Sequence, residues 1–190
     1  MDTRAAHYLD GKLLIASPLI GDPRFDRSVV FMCAHSDDHA MGIILNKPMS
    51  KLRLPDLFEQ LGVKSEITVA DRAVLDGGPV DRDRGFVLHS ADVWCEPATL
   101  EVGEGVGLTA TKDILEAMAS PGAPRRALLA LGYAGWEAGQ LEDEISHNAW
   151  LVVDADEDLV FGEDYESKWD KALRKMGVAP EFLTGASGHA

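Results

Sequence analysis

Nine polar, aromatic or glycine residues are the candidates for a binding or catalytic pocket in this chain. Most of them lie in two stretches. Asp76-Gly77-Gly78-Pro79 follows an apolar run, and its glycines permit close backbone approach or a positive φ. Gly132-Tyr133-Ala134-Gly135-Trp136 leads into the acidic run from Gln140 to Glu144, and aromatic and small residues at such a junction often form a pocket rim. The nine candidates are Asn46, Asp76, Gly77, Gly78, His89, Tyr133, Trp136, Gln140 and Glu142.

The chemistry of such a pocket would depend on three of these side chains. His89 or Glu142 could act as a general acid or base, and Asn46 could orient a ligand. A simpler interpretation has an ordinary turn at residues 76–79, with Trp136 packed on a sheet and a solvated acidic helix behind it. The sequence leaves both interpretations open.

An acidic segment resembles the start of a calcium-binding loop. Asp154, Asp156 and Asp158 alternate as in an EF-hand, but Leu159 replaces the glycine at position six and Tyr165 replaces the glutamate at position twelve. We therefore expect a solvated turn at this segment.

No other pattern indicates a metal, a cofactor or a nucleophile. His35, His39 and His89 lack the further ligands of a tetrahedral site. Phosphate-binding glycine loops and the Gly-x-Ser-x-Gly elbow are absent from the sequence. The sequence thus predicts no metal and no cofactor, and it favours a non-enzymatic protein while leaving an enzyme open.

The net charge and the cysteine content restrict which partners and which cellular location are expected for this protein. The formal net charge is −14, and residues 137–190 carry 13 acidic against 4 basic side chains. Such a surface repels nucleic acid, so direct nucleic-acid binding is not expected. Two cysteines, Cys33 and Cys95, do not form a secreted disulfide framework. No apolar run reaches the roughly 18 residues of a membrane span, and the start does not resemble a signal peptide, so we expect a cytoplasmic protein without membrane contact.

Short apolar runs and amphipathic segments define the elements that would position these residues. Helices are predicted by one-sided apolar spacing at residues 54–61, 112–119 and 165–176. Residues 28–45 read as a hairpin that turns at Ser36-Asp37-Asp38. Another hairpin is expected around Gly103–Gly107, and residues 159–161 are expected to pair with the strand at 149–153. The remaining predicted strands are 13–15, 73–75, 86–89 and 127–131.

Strands outnumber helices and do not alternate with them, which predicts an α+β fold with a mixed, mostly antiparallel sheet. We expect three to four helices around this sheet. No linker divides the chain, so residues 1–190 are predicted to form one domain, with a core at 11–177 and peripheral tails at 1–10 and 178–190.

Several strings, in order along the chain, resemble the YqgE/AlgH family of bacterial proteins. They are Gly11-Lys-Leu-Leu-Ile-Ala-Ser-Pro18, Phe25-Asp-Arg-Ser-Val-Val30, Gly42-Ile-Ile-Leu-Asn46-Lys-Pro48, Gly77-Gly-Pro-Val80, Gly132-Tyr-Ala-Gly-Trp136 and Gly139-Gln-Leu-Glu142. The resemblance implies a compact α+β domain whose sheet curls towards a barrel. It implies no defined reaction, cofactor or catalytic set, and the family is often labelled a transcriptional regulator.

The sequence is compatible with three functions. The first is a cytoplasmic regulator that acts through a protein partner and not by binding DNA. The second is a small-ligand-binding protein or enzyme, with a polar pocket around the Gly-Gly-Pro and Gly-Tyr-Ala-Gly-Trp segments. The third is a structural role without a site.

Overall fold

The computed structural model describes residues 8–181 and contains one ten-stranded sheet with five short α-helices. The strands are β1 (Lys12–Ala16), β2 (Val29–His35), β3 (His39–Ile44), β4 (Pro48–Arg53), β5 (Ala73–Asp76), β6 (Val80–Ser90), β7 (Thr99–Gly103), β8 (Val106–Thr109), β9 (Ala127–Glu137) and β10 (Trp150–Asp154). The helices are α1 (Leu54–Gln60), α2 (Lys112–Met118), α3 (Gln140–Ser146), α4 (Glu157–Phe161) and α5 (Lys168–Lys175).

The sheet follows the order β10-β1-β2-β3-β9-β6-β8-β7, with β4 paired to β5 and β5 to β9. The β5–β9 pairing is parallel and the others are antiparallel, so the predicted mixed, mostly antiparallel sheet is confirmed. The path curls back on itself, because Gly103 at the end of β7 packs against Gly11 and the ring of Phe31. The α+β fold and the sheet that curls towards a barrel are therefore both confirmed.

Both faces of the sheet are buried, which explains the continuous apolar runs in the sequence. In β1, Leu13 and Ile15 point into the curl, where they meet Phe31 and residues of α4 and α5. Leu14, between them, points outward into a second cluster that contains Trp136 and is covered by α3. A third cluster packs α1 and α2 on the outer face of β5, β6 and β9.

The two ends of the curled sheet are different. At one end, Val106 of β8 packs on the cluster that contains Val160 and Phe161 of α4, and the indole of Trp169 in α5 donates to the carbonyl of Ala16. At the other end no helix covers the interior among the described residues, and the same strands form the walls of an open cleft.

One predicted strand is wrong. Residues 159–161 belong to α4 and do not pair with β10. Asp156 caps this helix, since its carboxylate accepts from the Leu159 N–H at 2.8 Å, and Glu157 and Asp158 lie in the first turn. Acids at a helix N-terminus complement the helix dipole, so the acidic run begins a helix and not a hairpin turn. This helix brings the number to five, one more than expected.

Other predicted elements have the right type but different ends. The hairpins at 28–45 and around Gly103–Gly107 are present as β2–β3 and β7–β8. The last helix begins at Lys168, three residues after its predicted start. The predicted strand at 127–131 continues to Glu137 as β9, because Gly132 adopts φ 77° within the strand without ending it.

Most of the predicted tails, residues 1–10 and 178–190, lie outside the described part of the chain. Among the described tail residues, Leu9 and Val178 pack on the core clusters. Within residues 8–181, no helix is long and apolar enough to cross a membrane.

Candidate functional site

An apolar cleft of about 650 Å³ opens at the end of the sheet opposite α4 and α5. Its walls come from five strands and from the segments that flank β7 and β8. The principal apolar wall residues are Met41, Val80, Phe86, Leu100, Leu108 and Tyr133. A shallower hollow of about 750 Å³ on α4 and α5 is lined mainly by charged side chains and encloses no apolar volume of this kind.

The pleat of β9 directs three residues towards the cleft. Tyr133, Gly135 and Glu137 alternate with Ala134 and Trp136, which are buried in the cluster under α3. The Tyr133 ring meets the Phe86 ring edge to face, with centroids 5.8 Å apart. Gly135 leaves room beside this pair, since a Cβ there would lie 3.4 Å from the Tyr133 ring.

Polar groups are confined to the edge of the cleft. The guanidinium of Arg84 lies 5.1 Å from the centroid of the Phe86 ring. His39 and Glu137 are register partners on β3 and β9, and both are exposed. The cleft thus combines an apolar interior with a few charged groups at its mouth, an arrangement common to small-molecule sites.

The nine residues singled out from the sequence do not share one cavity. Tyr133 and Trp136 line the cleft. Asp76 and Gly78 line a separate pocket of about 170 Å³ with Arg24, Lys47 and Arg82. The other five line neither cavity, so the structure does not bring all nine together in either one.

The two glycines after Asp76 are required by packing between β5 and β9. A Cβ on Gly77 would lie 2.3 Å from the carbonyl oxygen of Gly132. Gly78, at φ 150°, would place a Cβ 2.1 Å from the carbonyl carbon of Tyr133. No side chain fits at such distances, so these glycines allow the two backbones to touch.

The Asn46 side chain stabilises a neighbouring turn through two hydrogen bonds. Its Nδ2 donates to the carbonyl of Arg27 at 2.8 Å, and its Oδ1 accepts from the Val29 N–H at 2.9 Å. Arg27 has a φ of 54°, which is uncommon for a residue other than glycine. Both ends of the Asn46 amide are therefore occupied in holding this turn.

His89 is fully buried and its ring nitrogens are both satisfied. Nδ1 lies 3.0 Å from the carbonyl oxygen of Ser90, and Nε2 lies 2.8 Å from Oγ1 of Thr109. Thr109 in turn contacts Thr99 Oγ1 at 2.8 Å, and that hydroxyl accepts from the Cys95 N–H. This network links β6, β7 and β8 inside the protein, and His89 lines neither the cleft nor the pocket beside Asp76.

Glu142 on α3 is bound to a buried histidine. Its Oε1 lies 2.5 Å from Nε2 of His35, whose Nδ1 accepts from the Leu9 N–H at 3.0 Å. Because Nδ1 is an acceptor, the ring proton lies on Nε2 and is donated to the carboxylate. Burial is the largest single influence and opposes ionisation of Glu142. The hydrogen bond from His35, a backbone hydrogen bond and the charge interaction with His35 together outweigh burial, so the pKa of the carboxyl is lowered. The pair fastens α3 to β2.

Gln140 has a local role at the start of the same helix. Its Oε1 accepts from the Glu137 N–H at 2.9 Å, across the turn between β9 and α3. Glu144, one turn further along, is half-buried near Trp136 and Trp150, and burial raises the pKa of its carboxyl. Glu142 projects elsewhere, as the helical spacing predicts.

The structure describes no metal-binding cluster. Within residues 8–181, no group of three or more His, Cys, Asp or Glu side chains could hold a metal ion. His35 and His89 are engaged as described above, and His39 lies at the cleft. Both cysteines are free, and burial raises the pKa of the Cys33 thiol.

Several cleft residues were not found from the sequence. Met41, Phe86, Leu100 and Leu108 look like ordinary strand residues, and nothing in their spacing indicates a cavity. Arg84 belongs to a charged run that reads as solvated surface. Gly135 is the exception, since it lies in the Gly-Tyr-Ala-Gly-Trp string.

Comparisons with known proteins agree with the resemblance found in the sequence. The AlgH-like family model matches residues 13–181. A UPF0301 protein of Bradyrhizobium diazoefficiens is 55% identical over 193 residues, covering 98% of this chain and 90% of that protein. A UPF0301 protein of Caulobacter vibrioides is 50% identical and covers 100% of this chain and 98% of its own length.

Solved structures show the same architecture. The solution structure of the AlgH protein from Pseudomonas aeruginosa matches with a TM-score of 0.77 and 38% identity over 100% of both chains. A crystal structure of a protein from Corynebacterium diphtheriae matches with a TM-score of 0.71 over 88% of this chain and 86% of that one; at 19% identity it supports the fold alone. By sequence and by fold, this chain belongs to the AlgH-like family.

Proposed function

We propose that this protein binds a small, mainly apolar molecule in the cleft at the open end of its curled sheet. The observation that carries the proposal is the cleft itself. Its volume of about 650 Å³ lies within the roughly 300–1,000 Å³ typical of ligand sites, and its interior is apolar. The mouth of a curled or closed sheet is a frequent place for such sites.

The proposed ligand would contact residues on several strands at once. Phe86 and Tyr133 offer ring faces and edges, while Met41 offers an adaptable apolar surface. Burying a phenyl-sized group against these side chains would remove apolar surface from water on both partners, which favours binding.

A cleft-filling variant tests this proposal. Gly135 lines the cleft without a positive φ, so Gly135→Leu adds a side chain there with little backbone strain. Gly122→Leu is the matched control, because Gly122 also lacks a positive φ and lies outside the cleft. The neutral fluorophore Nile red should bind the wild type and Gly122→Leu and should bind Gly135→Leu much more weakly. Equal binding to all three proteins would contradict the proposal.

A regulatory role through a protein partner is our second proposal. Two apolar side chains at the cleft are exposed, Leu100 by 61% and Val80 by 36%, and would be covered by a docked protein. Direct DNA binding has little physical support, because ten of the described Lys and Arg side chains already pair with Asp or Glu. The cytoplasm is the location that we propose for this regulatory role.

Fluorescence anisotropy with labelled duplex DNA tests the exclusion of nucleic acid. We expect no change in anisotropy at protein concentrations up to the micromolar range. Tight binding that weakens steeply with added salt would show phosphate neutralisation and would refute this part of the proposal.

A further inference from the structure

We infer that the ligand of the cleft is an amphipathic acid, whose carboxylate is bound by Arg84 while its apolar body fills the interior. This inference rests on the proposed binding function and adds the chemical class of the ligand. It is carried by the position of Arg84 at the cleft and by the absence, among residues 8–181, of an ion-pair or hydrogen-bond partner for its guanidinium.

An irregularity in β6 places Arg84 at the cleft. Between the pairs Val80–Tyr133 and Gly85–Leu131, β6 has four residues, 81–84, where β9 has Gly132 alone. The extra residues form a bulge, and Asp81 within it has a φ of 48°. Bulges of this kind redirect side chains and are frequent near functional sites.

The bulge carries two arginines with different environments. Arg82 pairs with Asp76, with its Nη2 at 3.1 Å from Oδ2. Within the described residues, Arg84 forms no ion pair and no hydrogen bond, and its guanidinium lies over the Phe86 ring. Of the two arginines, only Arg84 therefore has all of its guanidinium N–H groups available to a ligand.

Stacking on Phe86 prepares Arg84 to bind an anion. The contact, 5.1 Å from the guanidinium carbon to the ring centroid, restricts the side chain, and Phe86 is itself held edge to face by Tyr133. A stacked guanidinium keeps its N–H groups at its edges, where a carboxylate can accept two parallel hydrogen bonds. The same ring that orients Arg84 is part of the apolar wall, so one ligand can contact both.

The other charged groups near the cleft do not cancel the preference of Arg84 for an anionic ligand. Glu137 and His39 lie together at the β3–β9 side of the cleft. The net charge of −14 repels anions at long range, but at physiological salt the Debye length is about 8 Å, so the local guanidinium dominates at contact. The volume of about 650 Å³ fits a free small acid.

The test compares two probes that differ only in their polar group, phenylbutyrate and phenylbutanol. Binding of each to the full chain is measured by isothermal titration calorimetry near physiological salt. Arg84→Met keeps an apolar stem and removes the charge. Arg82→Met is the matched control, because it removes the same charge from the same bulge and Arg82 does not line the cleft.

Arg84→Met should weaken phenylbutyrate binding about fivefold, the upper end of the range for exposed charge pairs, because a guanidinium and a carboxylate can form two parallel hydrogen bonds. The variant should change phenylbutanol binding by less than about twofold, and Arg82→Met should leave both affinities within the same margin. An unchanged phenylbutyrate affinity in Arg84→Met would overturn the inference. So would an equal loss for both probes, or an equal effect of the two arginine variants, which would indicate only long-range charge.

The cleft-filling variant separates failure of this inference from failure of the proposed function. If phenylbutanol binds the wild type and Gly135→Leu abolishes that binding, the cleft is a ligand site whatever the arginine variants show. If neither probe binds the wild type but Nile red binds it and not Gly135→Leu, the inference alone is overturned. If Nile red binding is also independent of Gly135, the proposed function fails as well.

Discussion

Lys168 offers a test of the structure because its charged side chain is buried at the end of the sheet that α4 and α5 cover. It is 2% exposed, and its Nζ donates to the carbonyl of Val160 at 3.3 Å. Burial, together with repulsion by the neighbouring charges of Arg72, Lys171 and Arg126, lowers the pKa of Lys168 to about 8 from the ordinary value of 10.5. We predict that stability increases between pH 7 and pH 9.5, and that Lys168→Met removes this increase.

The sign follows from proton binding in the two states. Between the folded pKa near 8 and the unfolded pKa of 10.5, the unfolded chain binds more protons, so the free energy of unfolding rises with pH. One pKa unit corresponds to about 1.4 kcal/mol, so the charged Lys168 costs about 3 kcal/mol at pH 7, and about 2 kcal/mol of that is recovered by pH 9.5. Loss of the hydrogen bond to Val160 costs Lys168→Met about 1 kcal/mol, so the variant should be more stable by about 2 kcal/mol at pH 7.

Urea unfolding followed by tryptophan fluorescence at pH 7 and pH 9.5 measures these quantities. The wild type contains other titrating groups, so the decisive quantity is the difference in pH dependence between it and Lys168→Met. Lys51→Met serves as the control, since Lys51 is exposed, and should show the wild-type dependence. A Lys168→Met protein that is less stable at pH 7, or that keeps the wild-type pH dependence, would refute the burial of this charge.

Three further predictions concern packing, thiol reactivity and the hydrogen bond between Glu142 and His35. Gly78→Ala should lower the free energy of unfolding by more than about 3 kcal/mol, because its Cβ would meet the β9 backbone. The control is Gly62→Ala, since Gly62 has a φ of 67° but no atom near its Cβ position; it should cost only about 1 kcal/mol in the same urea titration. Mass spectrometry after brief alkylation of the native protein should show Cys33 unmodified and Cys95 modified, since only Cys33 is buried; rapid labelling of Cys33 would contradict this packing. Glu142→Gln should cost less than about 1 kcal/mol at pH 7, because that carboxylate is half exposed. The pKa of Glu142 is lowered on folding, so the contribution is present above pH 4.5 and is lost as the pH falls through the folded pKa. A variant penalty that does not change with pH would argue against the pair.

The candidate site was only partly predictable. Tyr133 and Trp136 are aromatic residues next to glycines and both border the cleft, but only Tyr133 directs its ring there, since the Trp136 side chain packs under α3. The side chains of His89 and Asn46 could do chemistry, but in the structure both use their hydrogen-bonding groups to hold the fold. A residue type states which hydrogen bonds a side chain can make, and only its neighbours in space decide whether those bonds are already made.

The amino-acid sequence by itself determined most of the local structure. Apolar periodicity set α1 and α2, turn residues set the β2–β3 hairpin, and the ordered strings identified the family. Where local signals were mixed, as at residues 157–161, the chain formed a helix because Asp156 caps it and α4 can then cover the interior core.

The tertiary structure alone decided where an open cavity lies. The cleft is formed by strands distant in sequence, and it is open because the helices α4 and α5 cover one end of the curled sheet and not the other. The availability of Arg84 is likewise a tertiary fact, because it depends on a bulge opposite Gly132 and on Asp76 pairing with Arg82 instead. Such features arise from long-range pairing of strands, which no local pattern of residues encodes.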